Sequence, residues 1–293
     1  MLHEVPELLA RPDPVLAGFL DGRRVRWTEL EGEGYAVEEL VTRLSPGAIL
    51  VSDSYDLDEA ALAVVAATGA RHVVIDDFAR LQQYPVDLVV NPNAGSEGLR
   101  YPGARRVLAG PRYALLRREI LDAARAIRTT GASVQTVLVS FGGGRWSDRA
   151  VDLLEAVGQA LAGLTIRATI PSELAPAGVE PVDPRLLHLQ LAAADIALLS
   201  GGVLKYEAAA CGLPALLVAL VPHQVEVAAA FAGTGAARAL GFLEELDRAD
   251  AAWQLAELAA DASARAAMTA AGRAAVDGRG AWRAAETLLE LSR

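Results

Sequence analysis

Ser200 to Gln224 reads SGGVLKYEAAACGLPALLVALVPHQ, and this stretch decides the fold. Ile196 to Leu199 ahead of it is the end of an apolar strand. A Ser-Gly-Gly turn follows, and the pattern predicts a helix from about Val203. Gly212 to Pro214 stops that helix, and the apolar run after it predicts a second buried strand. Ala208, Ala209, Ala210 and Cys211 are small enough to let the helix lie close on a sheet. Tyr206 and Glu207 fall near its first turn. Two readings of the turn stay open. Paired glycines before a helix let backbone N–H groups approach an anion, which the helix dipole favours. Glu207 then sits about a turn away, able to accept hydrogen bonds from hydroxyls, and phosphate plus hydroxyls describes a nucleotide. Alternatively, the glycines only permit tight packing and Glu207 lies in solvent.

The same grammar recurs outward. Ala48–Val51, running into Ser52-Asp53-Ser54-Tyr55, His72–Ile75, running into Asp76-Asp77, and Asp87–Val90, running into Asn91-Pro92-Asn93, are short apolar strands with polar ends. Helices are expected between them, about Val37–Leu44 and Leu57–Thr68. Gly18–Leu30 reads as a strand pair about Asp21-Gly22. Arg100–Arg117 reads as a loop entering a helix that runs to about Ile127, and Thr129–Ser133 as a linker. A second series begins at Thr136–Ser140, passes Phe141-Gly142-Gly143-Gly144, and continues through a helix at about Asp148–Leu161 and a strand at Leu164–Ile170. A Pro-rich loop spans Pro171–Pro184. After the opening stretch come a helix at Gln224–Phe231, a strand at Ala237–Leu240, and a helical tail broken near Asp261 and Asp277–Gly280. Continuous apolar strands alternating with helices indicate α/β architecture with parallel sheets covered on both faces. Two such series imply two domains, residues 1–130 and 131–293.

The chain has 293 residues, enough for two domains at roughly 100–200 each. Hydrophobic residues make up 53% and charged residues 22%, a composition with ample core. A net charge of −10 argues against a nucleic-acid partner, which a basic face would mark. Backbone donors can still hold a small anion against that balance. Cys211 is the single cysteine, so neither a disulfide within the chain nor a Cys-based zinc cluster can form. No run reaches the roughly 18 apolar residues of a membrane span, and no signal-peptide pattern opens the chain. A cytoplasmic location without a membrane span is the expectation.

The glycines at 142–144 come after a strand and precede a helix capped near Ser147-Asp148. No Lys-Ser/Thr comes after them, so they do not form a Walker A loop. Paired with Ser200, Gly201 and Gly202, they can present two glycine turns to one ligand, or serve as tight turns only. Asp53, Asp76, Asp77, Asn91 and Asn93 stand at strand ends, either to meet a ligand or to cap the next turn or helix. Of four histidines, His3, His72 and His188 read as terminal, core and packing residues, and His223 beside Gln224 is the acid–base candidate. No metal and no cofactor is expected.

Taken together, the motifs resemble the UDP-sugar hydrolase family of pseudaminic acid biosynthesis, relatives of the MurG-like glycosyltransferases with the GT-B fold. The resemblance covers about residues 48–241. It rests on Asp53-Ser54-Tyr55 with Leu57, Val74-Ile75-Asp76-Asp77, Asp87 to Asn91, Leu108-Ala109-Gly110-Pro111 and Tyr113-Ala114-Leu115-Leu116-Arg117. In the second half it rests on Val139-Ser140-Phe141-Gly142-Gly143, Ala194-Asp195, Gly201-Gly202 with Glu207, Gly212-Leu213-Pro214 and Gln224. It implies two Rossmann-like domains facing a cleft. UDP would lie against Gly142, Gly143, Gly144, Ser200, Gly201, Gly202 and Gln224, with Glu207 on the ribose hydroxyls. Asp53, Tyr55, Asp77 and Asn91 would face the sugar.

Three departures stand out. The family opens with a strand and a Gly-x-Gly-His loop whose histidine is taken as the base. This chain reaches Asp53 with too few residues for that unit, so the first domain is expected to be truncated. The family's Asn-Gln pair is His223-Gln224, and the glycine loop runs on through Arg145-Trp146. The resemblance implies a hydrolase releasing UDP from a diacetamido-trideoxy sugar, with His223, Asp53 or Asp77 standing in as base. A glycosyltransferase and a non-catalytic UDP-sugar-binding protein are the alternatives. The sequence sets no oligomeric state.

Overall fold

The structure, a computed structural model, describes residues 7–10, 26–29, 37–125, 133–142 and 146–291. The chain divides into two compact units. One holds Met1–Val89, Arg100–Val107 and Leu291–Arg293, and the other Val90–Leu99 and Leu108–Glu290.

In the first unit, β1 (Glu7–Ala10) and β2 (Arg26–Glu29) pair in parallel. The hairpin expected about Asp21-Gly22 would hold the residues of β2, but among the described residues their partner is Glu7–Ala10, in parallel. The turn itself lies outside the described residues. Helix α1 (Val37–Arg43) leads to β3 (Ile49–Asp53), α2 (Glu59–Ala67) and β4 (Arg71–Ile75). Asp58 caps α2, its Oδ1 accepting the Ala61 N–H at 2.7 Å, and this offsets an orphan donor of the first turn. Strands β5 (Leu88–Asn91) and β6 (Arg106–Ala109) complete a sheet in the order β3-β4-β5-β6. The division between the units falls within these last two strands. Strand β6 lies where the sequence reads as a loop. Its RVLA holds only three apolar residues behind an arginine, and an edge strand needs to bury little.

The second unit is a six-stranded sheet. Its elements are α3 (Arg118–Ala124), β7 (Thr136–Ser140), α4 (Asp148–Ala160), β8 (Thr165–Ala168), β9 (Val179–Pro181), α5 (Leu187–Ala193), β10 (Ile196–Ser200), α6 (Leu204–Cys211), β11 (Ala215–Ala219), α7 (His223–Ala232), β12 (Arg238–Phe242), α8 (Arg248–Ala260), α9 (Ala262–Ala275) and α10 (Gly280–Leu291). The strand order is β12-β11-β10-β7-β8-β9, with β7 pairing in parallel with both β8 and β10. Counted from β7 this is the doubly wound order 3-2-1-4-5-6, and its direction reverses between β7 and β10. Strand β9 is a three-residue edge inside the expected Pro-rich loop.

Alternation fixes the two faces. Val137, Val139, Ile196, Leu198, Leu216 and Val218 point to the face covered by α4 and α8. Leu138, Ala197, Leu199, Ala215 and Leu217 point to the opposite face, beneath α3, α5, α6 and α7. Burying each Leu or Val gains about 1.5–3 kcal/mol before conformational entropy is subtracted. Asp195 anchors the start of β7, its Oδ2 accepting the N–H groups of Gln135 and Thr136 at 2.8 and 2.9 Å. Helix α6 ends in a left-handed Gly212 at φ 68°. The tail breaks at Asp261 and between Val276 and Arg279, and Asp261 caps α9 through the Ala264 N–H. Among the described residues no helix is long and apolar enough to cross a membrane.

Candidate functional site

The reversal between β7 and β10 places a crevice at the carboxyl ends of those strands, where open α/β sheets bind ligands. Gly142 follows β7 at φ 78°, a conformation that favours glycine. A Cβ added there would lie 3.8 Å from Ser200 Oγ at the end of β10. The two glycine turns therefore meet. Gly143, Gly144 and Arg145 lie outside the described residues. Gln224, on the first turn of α7, closes over the second turn: its Cβ lies 3.5 Å from a Cβ built on Gly201, and its Nε2 lies 3.6 Å from one built on Gly202. Its Oε1 accepts the Leu220 N–H at 3.0 Å.

Lys205 is a residue that the sequence reading did not single out. It is buried, and its Nζ donates to the carbonyls of Gly201 and Gly202 at 2.9 and 3.0 Å while lying 4.1 Å from the centre of the Tyr206 ring. Tying down these two carbonyls fixes the peptide planes that lead into α6. The first N–H groups of a helix have no partner within it, so such a fixed entry is suited to an anion. Lysine beside a double glycine is the signal that was available.

Glu207 is not in solvent. It is 3% exposed, and both its oxygens are engaged by Arg117, Nε to Oε1 at 3.0 Å and Nη2 to Oε2 at 3.2 Å. A bidentate, charge-assisted pair of this kind sets the carboxylate's plane as well as its charge. The pair lines a cavity of about 220 Å³ together with Ser140, Gly142, Thr169 and Leu187. Ser140 Oγ and Thr169 Oγ1 lie 2.8 Å apart. The cavity is smaller than the roughly 300–1,000 Å³ that takes a whole small-molecule ligand, so it has room for part of one. Trp146 does not intrude on it: its Nε1 donates to the Thr169 carbonyl at 2.9 Å and its ring packs 4.9 Å from Phe141. His223 begins α7 and is exposed, and it is not part of the cavity's lining.

In the first unit the strand ends of β3 and β4 bring Asp53, Tyr55 and Asp77 together. Tyr55 Oη donates to Asp77 Oδ2 at 3.1 Å, and Arg80 holds the Tyr55 carbonyl at 2.6 Å. Burial by the surrounding protein, then the Asp77 charge, raises the Asp53 pKa, although its side chain keeps solvent access. The same two causes push Tyr55 up to about 12. Asp76 serves the loop instead. Its Oδ1 accepts the N–H groups of Phe78 and Ala79 at 2.8 and 2.6 Å, and its Oδ2 accepts Tyr84 Oη at 3.0 Å. Ala79 sits at φ 52° under that restraint.

In the second unit, Asn91 is fully buried, its Oδ1 accepting the Asn93 N–H at 2.9 Å. Asn93 Oδ1 in turn accepts Tyr206 Oη at 2.7 Å. In the first unit, His72 is a core residue, 2.8 Å from Ser52 Oγ, and burial lowers its pKa to about 4. Among the described residues no cluster of His, Cys, Asp or Glu is arranged to hold a metal ion.

No protein-family model matches the chain. It is 35% identical over 98 residues to the spore coat polysaccharide biosynthesis protein SpsG of Bacillus subtilis (strain 168), a stretch covering 33% of this chain and 29% of that protein. The match thus spans less than a third of the curated relative's length. Among solved structures, the calicheamicin glycosyltransferase CalG4 superposes with a TM-score of 0.61 at 17% identity, over 97% of this chain and 90% of CalG4. Phytolacca americana UGT2, complexed with UDP-2fluoro-glucose and pterostilbene, gives 0.63 at 13%, over 97% and 91%. The S. aureus MnaA–UDP co-structure gives 0.57 at 12%, over 92% and 84%. Identities this low speak to architecture: the chain has a GT-B-like α/β fold built from two parallel-sheet units.

Proposed function

We propose that the chain binds a UDP-sugar through its second unit and acts as a UDP-sugar hydrolase. The observation that carries the nucleotide half is the meeting of Gly142 with Ser200 at the strand-order reversal, beside the cavity that holds Glu207. The diphosphate would lie on the two glycine turns at the start of α6, and the ribose hydroxyls would share Glu207 with Arg117. SpsG is named for spore coat polysaccharide biosynthesis, and CalG4 is a glycosyltransferase, which supports an activated sugar as ligand.

In the reaction, water attacks the anomeric carbon. The bond from that carbon to the diphosphate oxygen breaks, UDP leaves with the electron pair, and the water proton passes to a base. Asp53 is the base we assign. Its raised pKa strengthens it as a proton acceptor, and Asp77 with Tyr55 orders the polar surroundings. Backbone N–H groups at the entry to α6 would stabilise the charge gathering on the departing diphosphate. An acceptor hydroxyl in place of water converts the same chemistry into glycosyl transfer, the reading that the likeness to CalG4 favours.

Calorimetric titration of UDP into the full chain tests the binding half. Saturable heat is expected, reduced in Glu207→Gln, and absence of heat with the wild-type chain overturns it. UDP release from a UDP-diacetamido-trideoxy sugar, with and without an acceptor sugar, then decides hydrolysis against transfer.

A further inference from the structure

We infer that the second unit carries a separate oxyanion site centred on Arg273, for phosphate or a phosphomonoester. A cavity of about 440 Å³ opens beside the carboxyl ends of α3, α6 and α9, closed on one side by the Asp277–Arg279 loop. This volume lies within the usual range of small-molecule pockets, about 300–1,000 Å³. It is a different place from the glycine-turn crevice: α6 presents Leu204 and Glu207 to that crevice and Ala210 to this cavity.

Arg273 reaches across Gly212, its Nε lying 2.5 Å from where a Cβ of that residue would stand. Its Nε and Nη2 are buried and meet no hydrogen-bond partner among the described residues. Buried guanidinium donors are almost always paired, so an arginine in the lining of a cavity with two donors left over points to an acceptor that arrives with a ligand. Position at a helix end accounts for a cation here, since the carboxyl end of α6 favours one. It does not account for two buried N–H groups that reach no carbonyl.

The lining settles the sign of the ligand. Arg125 and Arg279 also face the cavity. Arg279 is held over the Trp282 ring at 4.8 Å, and Arg125 reaches Asp122 at 3.2 Å on its exposed side. Among the described residues the one acid in the lining, Asp277, is already neutralised. Arg283 binds it at 2.7 and 2.5 Å and the Arg279 N–H at 3.0 Å, which together hold its pKa down at about 2. Three arginines thus line a space whose only carboxylate among the described residues is taken, in a chain that is acidic overall. Leu121, Ala210 and Val276 form an apolar wall beside them, suited to the organic body of a compact ester.

The test is calorimetric titration of the full chain at constant ionic strength, once with inorganic phosphate and once with glycerol 3-phosphate. Saturable binding is expected, weakened about tenfold or more by Arg273→Met and by Arg279→Gln, since each removes a charge-assisted contact. A gain from the ester over free phosphate assigns the apolar wall to the ligand's body, and equal binding assigns the site to phosphate itself. A melting experiment adds an independent readout. Without anion, Arg273→Met melts at or above the wild type, because it removes unpaired buried donors, and phosphate raises the midpoint of the wild type only. Should Arg273→Met fail to fold, the solvent-facing Arg279→Gln carries the comparison. No saturable binding to the wild type, or binding that the substitutions leave unchanged, overturns the proposal and leaves a water-filled cavity.

Discussion

Arg117 grips Glu207 with two parallel hydrogen bonds, at 3.0 and 3.2 Å, joining positions 90 residues apart in the chain. Glu207 is almost wholly buried, whereas the Arg117 side chain is 33% exposed. The carboxylate therefore depends on its partner more than the guanidinium does. Breaking a fully buried pair costs about 3–5 kcal/mol. Solvent at Arg117 reduces that, and Arg117→Ala is expected to cost about 2 kcal/mol, read as a lower urea midpoint at unchanged slope. Glu207→Gln should cost less, and the double variant should recover part of the loss. Additive losses in that cycle would show the pair to be energetically idle.

Gly212→Ala strains a left-handed residue and drives a methyl group into Arg273. The backbone term alone is about 1 kcal/mol, and displacement of the guanidinium raises the total to about 2–3 kcal/mol. Gly280→Ala is expected to do more damage, since its methyl would lie 2.5 Å from the Tyr113 carbonyl carbon, where only backbone can move. Thermal melts of the two variants beside Gly163→Ala, whose Cβ meets open space, separate crowding from backbone strain.

His72 makes stability depend on pH. Its pKa is about 4 in the fold against 6.5 for the free side chain, so the fold favours the neutral ring. The sign is direct. Between those values the unfolded chain binds the proton and the folded chain does not, so stability is complete above about 6.5 and falls as the pH drops towards 4. The whole shift corresponds to roughly 3 kcal/mol. Burial alone would raise the Asp87 pKa, but the His72 N–H together with Arg105 and Arg71 keeps it below the usual value, so its own contribution is lost at still lower pH. Urea midpoints at pH 7 and pH 4.5 should differ in the wild type and converge in His72→Gln. An unchanged difference in that variant would place the titration elsewhere.

Asp53→Asn is expected to lower turnover at least about a hundredfold while leaving UDP affinity intact, the signature of a lost general base. A base must be ionised to act, so the raised pKa of Asp53 moves the acid limb of the rate profile above the usual aspartate range. Asp77→Asn removes one of the two causes of that rise and should bring the limb down. A profile that Asp77→Asn leaves unmoved would take Asp53 out of the role.

The interior strands of the second unit were legible because β7, β10 and β11 are buried on both faces and so read as unbroken apolar runs. Strands β6 and β9 were not, since an edge with a charged residue or a proline resembles a loop until its neighbour is known. The convergence of Gly142, Ser200 and Gln224 came from each standing at a strand end or just beyond one. Arg117 escaped as a partner of Glu207 because sequence distance carries no trace of a contact made by folding. A lone glutamate heading the small, apolar run Ala208–Cys211 hinted at a buried charge, and a buried charge implies an unseen partner. Lys205 shows the same lesson two residues earlier.

All eight residues of α6 are buried, from Leu204 to Cys211, and Gly272 of α9 approaches Ala209 so closely that a methyl there would lie 3.2 Å from its Cα. Selection for a new ligand has no free surface on this helix to work with, since nearly every replacement would disturb the core. Room for change therefore lies on the opposite rim, where Pro184 is exposed and can vary without unseating the helix. The unit behaves as an anvil of fixed shape, and history can rework only what is laid against it.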